Sequence, residues 1–300
     1  MTLSLAVVYA TMIWLLKGVI AHQWWLSLAC FSLAVYLVVE LNNCHALLRI
    51  RSRMVSTVFI LLSCMASTLF EHVDSCFLLL GMVAFMLVLF HSYQNSQAAG
   101  TVYYAFALFG ICSCFFVKLL FLLPVLWLLM ATQLLTLNGR LLTASLLGVS
   151  TPYWFVLPLF IFRQDFEPMT AHFRSLLDFT PFGEAYQSLT VNQVIVLSFT
   201  ALLLCISIYR FWKYSFEDKI RIRLIYGFIT VMSLLCIVCL LLQPQLYQWL
   251  MPLIIVFGSP LIAHFFTFTS SKQTNILFMV TTVLSVLITI FNLWMPSLNF

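Results

Sequence analysis

Residues 224–242 read LIYGFITVMSLLCIVCLLL, a run without a charged side chain. An α-helix needs about 20 mostly apolar residues to cross a bilayer, so this run predicts a transmembrane helix. The rest of the chain has the same character, since 63% of its 300 residues are hydrophobic, 8% are charged, and the mean hydropathy is +1.08. Soluble domains carry about 25% charged residues, and the composition therefore excludes a soluble globular protein.

Outward from this run, the hydropathy pattern predicts an all-α, polytopic transmembrane bundle that forms a single integral membrane domain over residues 1–300. About eleven stretches have the length and apolarity of a span. They cover residues 3–20, 24–41, 54–70, 76–90, 102–117, 119–135, 141–162, 191–209, 224–242, 249–268 and 276–294. Lys118 separates two of them and is predicted to lie at the outer turn of a tight hairpin, because a lysine at mid-bilayer is costly.

The distribution of basic residues predicts the orientation of the chain. If the N-terminus is cytoplasmic, five loops face the cytoplasm, at residues 42–53, 91–101, 136–140, 210–223 and 269–275. These loops hold ten of the 14 Lys and Arg residues, whereas Lys17, Lys118, Arg163 and Arg174 lie outside. The positive-inside rule therefore favours a cytoplasmic N-terminus. Most basic residues flank apolar stretches, so the net charge of +5 is interpreted as a topology signal, and no nucleic-acid partner is predicted.

The outer loop at residues 163–192 carries acidic, imidazole and guanidinium groups together. Sugar transfer needs a general base and cations that stabilise a leaving diphosphate. The catalytic candidates are Asp165, Glu167 and His172. The candidates for binding a phosphate or lipid headgroup are Arg163 and Arg174 of this loop, together with Lys118. A solvated surface loop without a site is the alternative interpretation.

Two ionisable residues lie within or at the end of predicted spans. Glu40 is a candidate headgroup-binding residue, and its alternative is an ion pair with an arginine of the 42–53 loop. His264 follows a Gly–Pro break in its span, where it is either a proton relay or a hydrogen-bonded interhelical histidine. Cys236 and Cys239 have CxxC spacing but lie in an apolar run without a second ligand pair. No metal site, disulfide framework or cofactor is predicted.

A resemblance to known proteins rests on two regions. Residues 101–159 combine a small-residue helix, a lysine-centred turn, the turn LNGR at 137–140 and the segment LLGVSTPY at 146–153. With the 42–53 loop, this pattern resembles an uncharacterised family of polytopic inner-membrane proteins of the Bacteroidota, over about the first half of the chain. The resemblance implies the inner membrane of a Gram-negative cell, and it transfers no functional residue, because the family has no established activity.

The paired helices around Lys118 also resemble, more weakly, glycosyltransferases and glycan polymerases that use polyprenyl-linked sugars. Those enzymes carry an acidic pair in their first outer loop, where this chain has KGVIAHQ at 17–23. A catalytic acid would therefore come from the 163–192 loop, or from Glu71 or Asp74.

Together these patterns predict an inner-membrane protein that handles an envelope glycan or lipid-linked sugar at the outer face. The alternatives are a transporter or flippase, and a non-catalytic membrane subunit of an envelope complex. The expected partners are membrane lipids, a polyprenyl-linked glycan and other envelope proteins.

Overall fold

The computed structural model describes residues 2–50, 52–164, 166–179, 186, 189–268 and 272–294. Within these residues every regular element is helical, and no strand occurs. The α-helices are α1 (Thr2–Leu16), α2 (Trp25–His45), α3 (Met54–Met65), α4 (Val73–Leu89), α5 (Ala99–Phe115), α6 (Leu123–Thr132), α7 (Gly139–Arg163), α8 (Glu167–Arg174), α9 (Val191–Tyr214), α10 (Ile220–Leu242), α11 (Tyr247–Phe268) and α12 (Lys272–Trp294). The all-α prediction is confirmed.

Seven helical segments of the described chain are long and apolar enough to cross a membrane. They are Trp25–His45, Val73–Ser92, Gly139–Phe162, Val191–Glu217, Ile220–Leu242, Pro244–Phe268 and Thr274–Trp294. The four other stretches predicted as spans form shorter apolar helices at Thr2–Leu16, Met54–Met65, Ala99–Phe115 and Val117–Thr132. Two of the four end or begin in a 3₁₀ segment, at Ser67–Glu71 and Val117–Leu122, which interrupts the α-helix within an apolar run.

The contacts of the chain divide it into two compact units. The first comprises residues 1–80 and 181–300, and the second comprises residues 81–180. The prediction of one integral membrane domain stays a prediction. In the first unit the central element is α11, which packs against α3, α9 and α10 and is buried over most of its length.

Two prolines lie inside α11, and neighbouring hydroxyls compensate for the hydrogen bonds they remove. A proline leaves the carbonyl four residues earlier without its helical donor. For Pro252 that carbonyl belongs to Gln248, and it accepts a 3.0 Å hydrogen bond from the Ser75 hydroxyl. For Pro260 it belongs to Val256, and the Ser259 hydroxyl donates to it at 3.5 Å. The central helix therefore continues through both prolines.

In the second unit, α5 and α7 approach each other closely at two glycines. A Cβ on Gly110 would lie 2.7 Å from the carbonyl oxygen of Val149, and one on Gly148 would lie 2.6 Å from that of Tyr103. Polar bonds join the same pair of helices, with 3.0 Å between the Tyr103 and Thr151 hydroxyls. Close backbone approach through small residues is a common way for helices to associate in membranes.

We expect Gly148→Ala to lower the free energy of unfolding by about 1–3 kcal/mol, the usual cost of forcing extra volume into a packed contact. The added methyl would meet backbone, which cannot move aside as a side chain can. Gly139→Ala is the matched control, because the same helix has nothing within 4 Å of a Cβ at that position. Denaturant titration of both variants in mild detergent measures the difference, and equal stability would contradict the close approach.

Candidate functional site

A pocket of about 160 Å³ lies within the second unit, between the end of α5, the C-terminal half of α7 and helix α8. Its polar lining groups are the Cys114 thiol, the Tyr153 hydroxyl and the His172 imidazole. Its apolar lining residues are Val156, Leu157, Phe160, Pro168, Met169 and Phe173. Ligand sites commonly have this form, with a few polar groups that orient a ligand among apolar side chains.

His172 is the residue of the pocket lining that can accept or donate a proton near neutral pH. The backbone carbonyl of Ser113 accepts a hydrogen bond from its ring, whereas Nε2 is buried without a hydrogen-bond partner among the described residues. Partial burial lowers the pKa of His172 below its ordinary value, and the bond to Ser113 offsets only part of this shift. The imidazole is therefore neutral at neutral pH. With the other nitrogen as donor, Nε2 carries a free lone pair.

A hydrogen-bond chain orients Tyr153, which faces the same pocket. The Ser113 hydroxyl donates to the Gly110 carbonyl at 2.7 Å, so its single proton is used there. The Tyr153 hydroxyl, 2.9 Å away, therefore donates to Ser113 Oγ, and its oxygen keeps its acceptor capacity, part of which a hydrogen bond with the Cys114 thiol uses. The sequence patterns do not predict Tyr153 as a site residue. The signal for it is its place five residues after Gly148, in the part of α7 that contacts α5.

Lys118 lies in the 3₁₀ turn between α5 and α6 and holds the segment that follows α8. Its ammonium group donates a 2.5 Å hydrogen bond to the carbonyl of Asp178. The same group lies 5.2 Å from the centre of the Phe179 ring. Lys118 therefore contacts the 163–192 loop, and two of its three N–H donors have no role in this bond.

The other candidates of the outer loop do not line the pocket. Glu167 begins α8 and Arg174 ends it, and both side chains are exposed. Asp165 lies outside the described residues, as does the side chain of Arg163. Of the three predicted catalytic residues, the described structure brings His172 alone to the pocket.

A second polar cluster lies in the first unit, around the carboxylate of Asp218 between α9 and α10. This carboxylate is fully buried. It accepts hydrogen bonds from Arg49 Nε at 2.6 Å and from His264 Nε2 at 3.1 Å. Arg49 also lies 3.4 Å from the exposed Glu217 and 5.1 Å from the centre of the Phe268 ring. The cluster joins the 46–53 connection, the α9–α10 turn and the end of α11.

The partners of Asp218 keep it ionised. Burial raises the pKa of this carboxyl, but the hydrogen bonds from His264 and Arg49 outweigh burial and hold the pKa below its ordinary value. His264 is enclosed by the rings of Phe211, Tyr226 and Phe268, whose centres lie 4.6–5.4 Å from its own. His264 is therefore a hydrogen-bonded interhelical histidine, one of the two alternatives that its sequence context left open.

Glu40 has a different partner from the arginines that its sequence context suggests. The Cys44 thiol, one turn later on α2, donates a 3.1 Å hydrogen bond to its carboxylate. The helix ends at His45, and Ala46 adopts a left-handed conformation that turns the chain away. Arg49 therefore leaves the Glu40 face of α2 and pairs with Asp218 instead.

Comparison of the chain with protein-family models, curated proteins and solved structures gives no match. Functional assignment therefore depends on the chemistry of the two polar clusters.

Proposed function

We propose that the chain is an integral, multi-pass protein of the bacterial inner membrane, with about eleven crossings and a cytoplasmic N-terminus. Seven helices of the described chain support a multi-pass protein, and shorter apolar helices occupy the four remaining predicted spans. The distribution of Lys and Arg supports the orientation. In this topology the 163–192 loop, and with it α8, lies at the outer face.

We further propose that the protein handles an envelope glycan or lipid-linked sugar at that face. The observation that carries this proposal is His172, whose Nε2 has no hydrogen-bond partner among the described residues and which lines a pocket with mainly aromatic and aliphatic walls. A lipid-linked saccharide has two parts that match this lining. Its sugar hydroxyls suit the imidazole, and its apolar chain suits the surrounding aromatic and aliphatic side chains. At about 160 Å³ the pocket is smaller than the roughly 300–1,000 Å³ of typical ligand sites. It therefore fits one reacting group and not a whole glycan.

In this proposal His172 is the general base of a sugar-transfer reaction. Its Nε2 accepts the proton of an acceptor hydroxyl, whose oxygen attacks the anomeric carbon while the lipid diphosphate departs. The ammonium group of Lys118, four residues after the pocket residue Cys114, supplies charge for the departing diphosphate through the N–H donors that its bond to Asp178 does not use. Tyr153, fixed by Ser113, orients the acceptor through its lone pairs.

Mass spectrometry of lipid extracts tests the proposal, with cells that have the gene compared with cells that lack it. We expect one polyprenyl-linked saccharide to accumulate without the protein. The wild-type gene and His22→Gln should reverse the accumulation, and His172→Gln should not. His22 is the matched control because it is exposed and stacks on Trp24 in the other unit.

Each other outcome assigns a different role. Accumulation that His172→Gln reverses fully indicates a flippase, or a non-catalytic subunit of an enzyme complex. A lipid profile that is identical with and without the gene contradicts a role in lipid-linked sugar handling.

A further inference from the structure

The connection between α2 and α3 encloses a second concavity, within the first unit. With the last turn of α2 it surrounds a volume of about 640 Å³. The polar residues among its lining are Asn42, Asn43, Arg49, Ser52 and Arg53. No carboxylate lines it among the described residues, so the lining carries two formal positive charges and no negative one.

Arg49 is held in place before any ligand arrives. Its Nε donates to the buried Asp218, its Nη2 lies 3.4 Å from Glu217, and its guanidinium lies over the Phe268 ring. A guanidinium has five N–H donors, so donors remain after these two contacts. Arg49 therefore loses less conformational entropy on binding a ligand than a flexible arginine does.

Arg53 supplies the charge that no carboxylate neutralises. It is exposed, and no ion pair to it occurs in the described part of the chain. The ends of α2 and α3 both adjoin the concavity, with opposite dipole ends each equivalent to about half a charge. These two contributions offset each other, and because Arg49 is paired with Asp218 and Glu217, Arg53 is the cation of the lining that no described carboxylate pairs with.

Asn42 contributes a buried hydrogen-bond acceptor to the lining of the concavity. Its Nδ2 donates to the Ser52 carbonyl at 2.9 Å, which fixes the orientation of the amide. Its Oδ1 is buried and has no hydrogen-bond partner among the described residues. A buried acceptor without a donor is costly, so a hydroxyl of a ligand would be favoured at this atom.

We propose that this concavity binds a phosphate ester that bears free hydroxyls, with the phosphate on Arg49 and Arg53 and a hydroxyl on Asn42. Two sources have this chemistry, a lipid headgroup such as phosphatidylglycerol and a soluble ester such as glycerol 1-phosphate. The residues of the neighbouring α9–α10 turn indicate that the concavity lies at the level of the lipid headgroups. Phe216, beside the Glu217 that contacts Arg49, is 83% exposed, and Trp212 is 70% exposed. Exposed aromatics beside basic residues are typical of the membrane interface.

Native mass spectrometry of the full chain, released from detergent micelles, tests this site. The protein is titrated separately with dioleoylphosphatidylglycerol, dioleoylphosphatidylcholine and glycerol 1-phosphate. We expect saturable binding of one phosphatidylglycerol and weaker binding of phosphatidylcholine. Arg53→Gln should weaken the phosphatidylglycerol complex about tenfold, since a charge-assisted hydrogen bond is lost. Lys213→Gln is the control, because it removes an exposed cation of the same unit that does not line the concavity.

A second variant keeps the test decisive if Arg53→Gln is poorly folded. Asn43→Asp adds a carboxylate to the lining and should weaken binding of either phosphate ester by repulsion. Displacement of the lipid by glycerol 1-phosphate at equal affinity would assign the site to a soluble ester. Equal affinity for both lipids, or affinities that neither variant changes, would overturn the proposal. The outcome is independent of the lipid profile that tests the pocket at His172.

Discussion

Asp218→Ala is expected to lower the free energy of unfolding by about 1.5–3 kcal/mol, the usual contribution of a hydrogen bond to a charged group, because it removes the buried carboxylate that both Arg49 and His264 contact. The substitution leaves the guanidinium of Arg49 and the imidazole of His264 without their shared acceptor. It also releases the 46–53 connection from the end of α11. Thermal and denaturant unfolding in detergent measures the loss.

Glu217→Ala is the control for this prediction. Glu217 precedes Asp218 and contacts the same arginine, but its side chain is 63% exposed and its distance to Arg49 is 3.4 Å. Exposed ion pairs contribute about 0–1 kcal/mol, so this variant should unfold almost as the wild type does. Equal effects of the two substitutions would show that burial of the Asp218 carboxylate does not matter to stability.

The pH dependence of the same contribution has a definite sign. The pKa of Asp218 in the folded protein lies below its ordinary value of 3.8. Its stabilising contribution is therefore fully present above that ordinary value and is lost as the pH falls through the lower pKa of the folded state. We expect the stability difference between wild type and Asp218→Ala to shrink as the pH falls below the ordinary value of 3.8.

The sequence predicts the helical class of the fold well and the length of its helices less well. Apolar runs at residues 54–70 and 102–135 have enough hydropathy for spans. Hydropathy contains no information about the backbone geometry that ends α3 at Met65 and forms a 3₁₀ turn at Val117–Leu122. Pocket residue His172 was predicted because it lies in a polar loop with mixed chemistry.

The Asp218 cluster could not be predicted from local spacing. Arg49 and Asp218 are 169 residues apart, and a nearer carboxylate, Glu40, was the natural partner to expect. The left-handed turn at Ala46 removes that partner, because it takes Arg49 off the axis of α2. Arg49 pairs with Asp218 because the 46–53 connection, the α9–α10 turn and the end of α11 pack together in the folded protein.

His172→Ala is expected to slow turnover by about 10²–10⁴-fold, the usual contribution of a positioned general base. The substrate for this assay is the lipid-linked saccharide isolated from cells that lack the protein, and the enzyme is the full chain in lipid nanodiscs. His22→Gln should retain full activity. Tyr153→Phe should lose less than His172→Ala, because it removes an orienting hydroxyl and leaves the base in place.

The pH profile separates a general base from a structural histidine. Burial lowers the pKa of His172 below 6.5, and the basic form is the neutral one. Turnover by the wild type should therefore rise with pH through an apparent pKa below 6.5 and stay constant from there to about pH 8. The residual activity of His172→Ala should lack this step. A variant that keeps the step, or turns over substrate at the wild-type rate, would assign the proton transfer to another group and leave His172 as a packing residue between α8 and α7.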